Sequence, residues 1–306
     1  MLITSGNFSK ALAPGVNKWF QGDYNQWPEE YTSLFQVDQS TKQYEEDVGE
    51  SGFGLASIKT EGGGIEYDDT EQNHIARYVH AVIAKGFKIT REMVEDDQYM
   101  VIGRKRASAL ARSMRVTVEV MGANVYNRGF DVNFTMGADH DAQPLFSTAH
   151  PQGPKGGTFS NKLLVDADLS EAAIEQAVND INGLTDPRGL PIAAQAVSLC
   201  IPHELQFEAS RILDSEYRPG TDLNDINALR QNGYLPGGFK LNHYLTDPDA
   251  WFIMTNVPDG PKMFERRALE FGDDSSFDTE NAKFKASRRF SFGWSDARGV
   301  YGSAGS

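Results

Sequence analysis

Residues 44–72 read YEEDVGESGFGLASIKTEGGGIEYDDTEQ, and residues 104–127 read RKRASALARSMRVTVEVMGANVYN. The first stretch has nine acidic residues between Glu45 and Glu71 and a single base, Lys59. It has too few apolar side chains to form a core of its own. The second stretch predicts a long helix with a basic flank. The simplest arrangement places the acidic stretch of one copy across the helix of the next, so the two stretches predict assembly rather than catalysis.

The segment that contains the acidic stretch, residues 44–90, predicts a two-stranded ribbon. Strand character occurs at residues 55–58 and again at residues 75–89. The run of glycines at 62–64 predicts a flexible turn at the tip, because glycine adopts positive φ without steric cost. An isolated two-stranded ribbon is marginal in water, so this ribbon is expected to lie on another surface.

The segment at residues 104–127 predicts a helix about 36 Å long. Its apolar residues recur at spacings of three and four: Ala107, Leu110, Met114, Val118, Met121 and Val125. Gly103 and Gly129 mark its two ends. We take four acids of the ribbon and five bases of the helix as candidate inter-subunit contacts: Glu61, Glu66, Asp68, Asp69, Arg104, Lys105, Arg106, Arg112 and Arg115. The alternative is that these bases pair within their own helix, as is common on solvated helices.

The rest of the chain divides into segments of different character. Residues 1–43 are rich in aromatic side chains without a clear period, and we interpret them as an N-terminal arm. A strand and a helix that belong to the main core are the alternative. Residues 139–160 predict a turn-rich connection between two lobes.

The second lobe is predicted to begin with an amphipathic helix that Ser170 caps and Gly183 ends. Further elements follow in order: a strand at 196–201, a helix from Pro202, a helical segment at 225–231 and a strand at 251–255. The C-terminal part alternates again, with Phe290, Phe292 and Trp294 on one face.

The composition is that of an ordinary globular protein with one large or two medium domains. The chain has 306 residues, of which 40% are hydrophobic and 24% charged, and its formal net charge is −14. A protein that grips nucleic acid through phosphates needs concentrated Lys and Arg, so this balance argues against sequence-independent binding of DNA. The single cysteine, Cys200, lies in an apolar run and is expected to be a small buried hydrophobe. No signal peptide and no apolar run of about 18 residues is found.

No motif predicts a catalytic, cofactor or metal site. His203 and Glu204 begin like a zinc-protease helix, but Phe207 stands where the second histidine would be needed. His140 and Asp141 lie in a polar run that is more typical of a solvated loop than of a metal site. We therefore predict no enzyme and no cofactor.

Five passages carry a resemblance to a known family: VSLCIPHEL (197–205), WFIMTNVPDG (251–260), MFERR (263–267), DTENAKFK (278–285) and FGWSDARGVYG (292–302). Together with the order of the elements, they resemble the major capsid protein of tailed bacteriophages, which has the Hong Kong 97 fold. The chain is most similar to the Mu-like major head subunit branch. The resemblance covers essentially the whole chain, and its motifs are structural.

The resemblance implies an α+β fold with a fixed order of parts. These are an N-terminal arm (1–43), an extended β-hairpin loop (44–90), a peripheral domain with a spine helix (91–159), an axial domain (160–255) and C-terminal strands that return to the peripheral domain (256–306). In such shells the extended loop overlaps a neighbouring subunit, and the axial domain gathers around five- and six-fold axes.

The function that the resemblance implies is that of a major capsid protein of a tailed phage or prophage. Its partners would be further copies of itself in hexamers and pentamers, a scaffold protein, a portal and a decoration protein. The icosahedral shell would enclose double-stranded DNA without sequence-specific binding, in a virion assembled in the bacterial cytoplasm. The alternative is an encapsulin-like shell protein of a cellular nanocompartment.

Overall fold

The computed structural model describes residues 8–95, 99–153, 156–217, 225–276 and 281–306. Residues 1–7 of the predicted arm and residues 278–280 of the fourth passage lie outside these ranges. The helices are α1 Phe8–Tyr24, α2 Arg91–Glu95, α3 Tyr99–Asn127, α4 Glu171–Asn182, α5 Gln206–Asp214 and α6 Ala228–Gln231. The strands are β1 Gln36–Gln39, β2 Tyr44–Glu50, β3 Gln72–Val79, β4 Ala81–Ile89, β5 His150–Pro151, β6 Thr158–Phe159, β7 Ala196–Ile201, β8 Phe239–Leu241, β9 Trp251–Thr255, β10 Pro261–Ser275, β11 Ala282–Trp294 and β12 Val300–Ser303.

The first lobe is a sheet with strand order β1-β10-β11-β4 that packs α1 and α3 on one face. Strand β1 is parallel to β10, and the other neighbours are antiparallel. Helix α3 carries the predicted apolar stripe into this interface. It ends at Asn127 as predicted but begins at Tyr99, five residues earlier than expected. Gly103, taken as its boundary, is buried inside the helix, where packing outweighs the helical cost of glycine, about 1 kcal/mol.

The second lobe has a sheet with strand order β12-β9-β7-β8, covered by α4 and α5. The predicted helix cap is confirmed, because the hydroxyl of Ser170 accepts a hydrogen bond from the Ala173 amide. The strands at 196–201 and 251–255 are also confirmed. The last strand, β12, pairs with β9. The C-terminal segment 256–306 therefore contributes strands to both sheets, because β10 and β11 lie in the first sheet and β12 lies in the second.

The predicted ribbon differs from the observed hairpin. Strands β2 and β3 pair antiparallel from Tyr44 opposite Val79 to Glu50 opposite Gln72. Residues 55–58 form no strand, because neither their backbone nor their side chains meet a partner within the described subunit. The alternating run at 75–89 is broken at His80, and its second half joins β11 in the first sheet. Alternation indicates a strand but does not say with which strand it pairs.

The N-terminal segment packs on the body of the first lobe. Val16 and Phe20 of α1 are buried against the same core as α3, and β1 adds a strand to the first sheet. A 3-10 turn at Tyr31–Ser33 links them. Residues 8–43 thus agree with the second interpretation, a helix and a strand of the main core.

A buried carboxyl of α3 holds that 3-10 turn. Glu119 is 1% exposed, and its two oxygens accept hydrogen bonds from the amides of Glu30 (3.1 Å) and Tyr31 (2.9 Å). These amides are the free donors at the start of the turn, so the carboxyl acts as its cap.

The pH dependence of stability tests this cap. Burial raises the pKa of Glu119 to about 7, and the two amide bonds oppose the rise only in part. The pKa of Glu119 in the folded state exceeds its value near 4.5 in the unfolded state. The protonated carboxyl therefore contributes its full stabilisation below pH 4.5, and this stabilisation is lost as the pH rises through 7. We expect unfolding free energy to fall over this interval and Glu119→Gln to flatten the fall. Urea unfolding across the interval measures both slopes, and equal slopes would contradict the assignment.

Candidate functional site

The loop that joins β2 to β3, residues 51–71 (the acidic loop), projects from the hairpin without regular secondary structure. Its large apolar side chains face solvent: Phe53, Leu55, Ile58, Ile65 and Tyr67. Ile58 is 97% exposed and Tyr67 is 92% exposed. Glu61 and Glu66 are also exposed. So many exposed apolar groups on one short segment are typical of a surface that another molecule covers.

The carboxyl end of the acidic loop is fastened within its own subunit. Arg188, in the turn after α4, donates to the Asp68 carboxylate (2.7 Å) and to the backbone oxygen of Asp69. The amide of Gly54 also donates to Asp68 (2.8 Å), and this bond, followed by Arg188, lowers the pKa of Asp68. Asp68 is thus paired within its own subunit, although 44% of its side chain stays exposed and its role as an inter-subunit contact stays a prediction. Asp68 and Arg188 are distant in the chain, and only the fold brings them together.

Arg115 is corrected as a candidate contact. It is 4% exposed, pairs with Glu29, donates to the Tyr24 backbone oxygen (3.2 Å) and lies over the Tyr24 ring at 4.1 Å. The helical period contains the signal for this burial, because position 115 lies between Ala111 and Val118 on the buried side of α3.

The other four bases of the helix are exposed. Arg112 lies near the Trp27 ring, at 5.8 Å from its centroid. Arg106 donates to the backbone oxygen of Lys88 in β4. The described contacts of Arg106 and Arg112 are thus with groups outside α3, and not with acids of the same helix.

The structure adds two lysines that sequence reasoning did not single out. Lys85 and Lys88 are exposed on β4, the edge strand beside α3, and the Lys85 ammonium donates to the Ser113 hydroxyl (3.0 Å). With three bases of the helix they make up a set of exposed bases where β4 meets α3, here called the basic edge: Lys85, Lys88, Arg104, Lys105 and Arg106. The residues were visible in the sequence, but their neighbourhood depends on how β4 packs against α3.

The run around His140 is buried rather than solvated, which corrects the sequence interpretation. His140 is mostly buried and His150 fully so, and both bond to the Asp141 carboxylate, at 2.7 and 2.5 Å. Cys200 is buried as expected, and burial raises the pKa of its thiol to about 12.

The described ranges contain no group of three or more His, Cys, Asp or Glu side chains placed to hold a metal ion. Among the helices in those ranges, none combines the length and the apolar character that crossing a bilayer requires.

The sequence model of the family described as phage capsid protein matches residues 76–303, well over half of the chain. The chain belongs to the phage capsid protein family. The match confirms the family that the resemblance indicated and supports a viral shell subunit over a nanocompartment. Among curated proteins, none matches this capsid protein.

Solved capsid structures share the fold of this capsid protein. The procapsid of bacteriophage JBD30 is 14% identical with a TM-score of 0.51, and the match covers 96% of this chain and 74% of that one. Microbacterium phage Oxtober96 is 10% identical with a TM-score of 0.53 and 90% coverage of both chains. The capsid of the native GTA particle is 14% identical with a TM-score of 0.53, covering 89% and 88%. Identities this low show the fold alone.

Proposed function

We propose that this capsid protein is the major head subunit of a tailed phage or prophage, of the Mu-like branch. Copies of the chain assemble into hexamers and pentamers of an icosahedral shell around double-stranded DNA, without sequence-specific contacts. The subunit has no catalytic task. Assembly takes place in the bacterial cytoplasm, and the other partners of the shell are a scaffold protein, a portal and a decoration protein. The family match over residues 76–303 carries this proposal.

In the Hong Kong 97 scheme the five predicted segments take the parts described above. The arm is residues 1–43, the extended loop 44–90, the peripheral domain 91–159, the axial domain 160–255 and the C-terminal strands 256–306. The buried cluster of the second lobe supports the axial domain. A further buried cluster includes residues of both lobes, and β4 of segment 44–90 lies in the sheet of the first lobe.

The contact between subunits joins the acidic loop of one copy to the basic edge of the next. Glu61, Glu66 and Asp69 supply negative charge, and exposed Ile65 and Tyr67 supply apolar area. The basic edge has the complementary charge in a chain that is acidic overall. Opposite surface potentials steer association and fix register more than they add affinity. Arg112 lies farther along the same helix and belongs to the same contact.

Charge reversal of the basic edge tests this contact. The triple variant Arg104→Glu, Lys105→Glu and Arg106→Glu is expected to keep its circular dichroism spectrum but to form few or no shells. Like charges would then face the acidic loop, and such juxtaposition costs several kcal/mol. Sedimentation velocity and negative-stain electron microscopy, with the scaffold coexpressed, measure shell yield.

A charge swap provides the matched control. Adding Glu61→Lys and Glu66→Lys to the triple variant is expected to restore shells. A second triple variant, Arg211→Glu, Arg230→Glu and Lys240→Glu, makes the same net change at exposed positions of the second lobe. If the first triple variant forms normal shells with the salt tolerance of the wild type, the proposed contact between the acidic loop and the basic edge is wrong. No shells from the wild type with its scaffold would instead contradict the function.

A further inference from the structure

Ser295, which follows β11 and is 4% exposed, is one of the residues that attach the root of the β2–β3 hairpin to the body. Its hydroxyl bonds to the Tyr78 hydroxyl (2.7 Å) and to the Asp47 carboxylate (2.6 Å). Its backbone oxygen faces Nε2 of His74 (2.8 Å) and Nε2 of His140 (3.0 Å). Three of these four groups belong to the hairpin, so Ser295 anchors its root, together with the ion pair of Lys262 with Asp47 and the bond from the Ile75 amide to the Asp139 oxygen.

The bonding partners define the proton state of His140. Its Nε2 faces the Ser295 carbonyl, and its Nδ1 faces the Asp141 carboxylate at 2.7 Å. Both partners are acceptors, so both ring nitrogens must donate and the ring is an imidazolium. Burial opposes this charge, but the bonds to Asp141 and Ser295 outweigh it and raise the pKa of His140.

His150 completes the buried side of this cluster. Its two nitrogens face Asp141 (2.5 Å) and the side-chain oxygen of Asn161 (3.1 Å). The orientation of Asn161 follows from its Nδ2, which donates to three backbone oxygens, those of Leu145, Ala297 and Val300. Asp141 is thus held between two rings, and despite its burial their bonds hold its pKa well below the usual range. Asp141 therefore stays ionised in mild acid.

His74 is in the opposite situation. Its Nε2 donates to Ser295, its ring centroid lies 4.6 Å from that of His140, and the Gly49 backbone packs so closely that a Cβ there would lie 2.9 Å from the His74 ring. Burial, followed by the neighbouring His140, lowers the pKa of His74. A proton on His74 would place two cations side by side in a confined space.

We propose that His74 and His140 form a proton-operated clasp: with His74 neutral and His140 charged the hairpin root is held on Ser295, and protonation of His74 releases it. Such a release would loosen the root of the hairpin, while the bonds of Arg188 to Asp68 and Asp69 would still hold the carboxyl end of the acidic loop. Other charged groups line the same cavity as His74: Asp47, Glu50, Asp186, Asp259, Asp296 and Arg298. Lys262 of β10 pairs with Asp47 and Asp259, and Asp141 bonds to His140. Asp296 and Asp141 favour a positive charge on the His74 ring, but their effect is too small to bring the pKa of His74 back to its ordinary value.

The direction of the pH effect follows from linkage. The closed state has a His74 pKa below its ordinary value of 6.5, so closure is favoured above that pH and weakens as the pH falls toward the closed-state value. In that interval the open state binds one proton more than the closed state. The opening equilibrium then rises by up to about tenfold per pH unit. The pKa of His140 is raised in the closed state, so closure is weakened when the pH rises far enough to remove the proton from His140.

Hydrogen exchange of the hairpin amides tests the clasp. The amide of Ile75 bonds to the Asp139 oxygen (3.0 Å) beside the clasp. Below pH 6.5, after correction for intrinsic rates, its protection is expected to fall by up to about tenfold per pH unit in the wild type. In His74→Gln, whose amide keeps the donor but not the titration, protection should be flat. Amides of β9 report global unfolding and serve as the reference.

Two further variants sharpen the result. His203→Gln replaces an exposed histidine and should keep the wild-type slope. Ser295→Ala removes the hydroxyl bonds but leaves the carbonyl, so it should lower protection at every pH while retaining the slope. A wild-type slope in His74→Gln, or a flat one in Ser295→Ala, would overturn the proposal. The inference concerns the single chain, so the experiment uses unassembled protein, and its failure would leave the proposed assembly contact untouched.

Discussion

Replacement of Arg288 by methionine is expected to lower the free energy of unfolding by about 3–5 kcal/mol, because it would leave the Glu265 carboxylate, which is 14% exposed, without its positively charged partner. Arg288 lies on β11, is 5% exposed, and pairs with Glu265 of β10 at 2.7 Å. It also donates to the hydroxyls of Tyr24 (3.3 Å) and Tyr31 (3.2 Å). One guanidinium therefore connects the sheet to the N-terminal helix and to the 3-10 turn.

Equilibrium unfolding in urea measures this effect. The double variant Arg288→Met with Glu265→Met should recover much of the loss, since neither charge is then buried alone. Arg211→Met, at an exposed position paired with Glu208, should change stability little. An Arg288→Met protein as stable as the wild type would show that the pair contributes nothing.

Replacement of Asn161 by leucine is expected to cost about 3 kcal/mol or more, because several buried partners lose a bond and each such loss costs about 1–3 kcal/mol. Asn161 is fully buried. Its amide nitrogen donates to three backbone oxygens, and its oxygen accepts from the Ser147 amide (3.0 Å) and from His150. Leucine has a similar volume, so packing alone would predict a small change.

The control for this substitution is Asn182→Leu, at an exposed position near the end of α4. Thermal and urea unfolding of the two variants should differ by the cost of the lost bonds. A small effect at Asn161, comparable to that at Asn182, would mean that water or side-chain rearrangement satisfies the freed carbonyls. The connection at 139–160 would then be held by its apolar contacts.

Local patterns in the sequence were sufficient to predict several of the helices and strands. The spacing of Leu110, Met114 and Val118 predicts α3, and the Ser170 cap with its apolar stripe predicts α4. Short apolar runs predict β7 and β9. These elements are predictable because one face of each is buried, and burial imposes a period of 3.6 or 2 on the side chains. The five quoted passages also sufficed to indicate the capsid family.

Pairings between distant segments followed only from the tertiary structure. The sequence did not show that residues 81–89 leave the hairpin for the first sheet, that Arg188 fastens Asp68, or that Arg115 is buried against Glu29. It also did not show that His140 and Asp141 lie inside the protein, since polar residues in a turn-rich run look solvated. Side-chain type and local period determine which elements form. Which charges are paired, buried or left for a neighbour depends on contacts between residues far apart in the chain, and no local pattern records them.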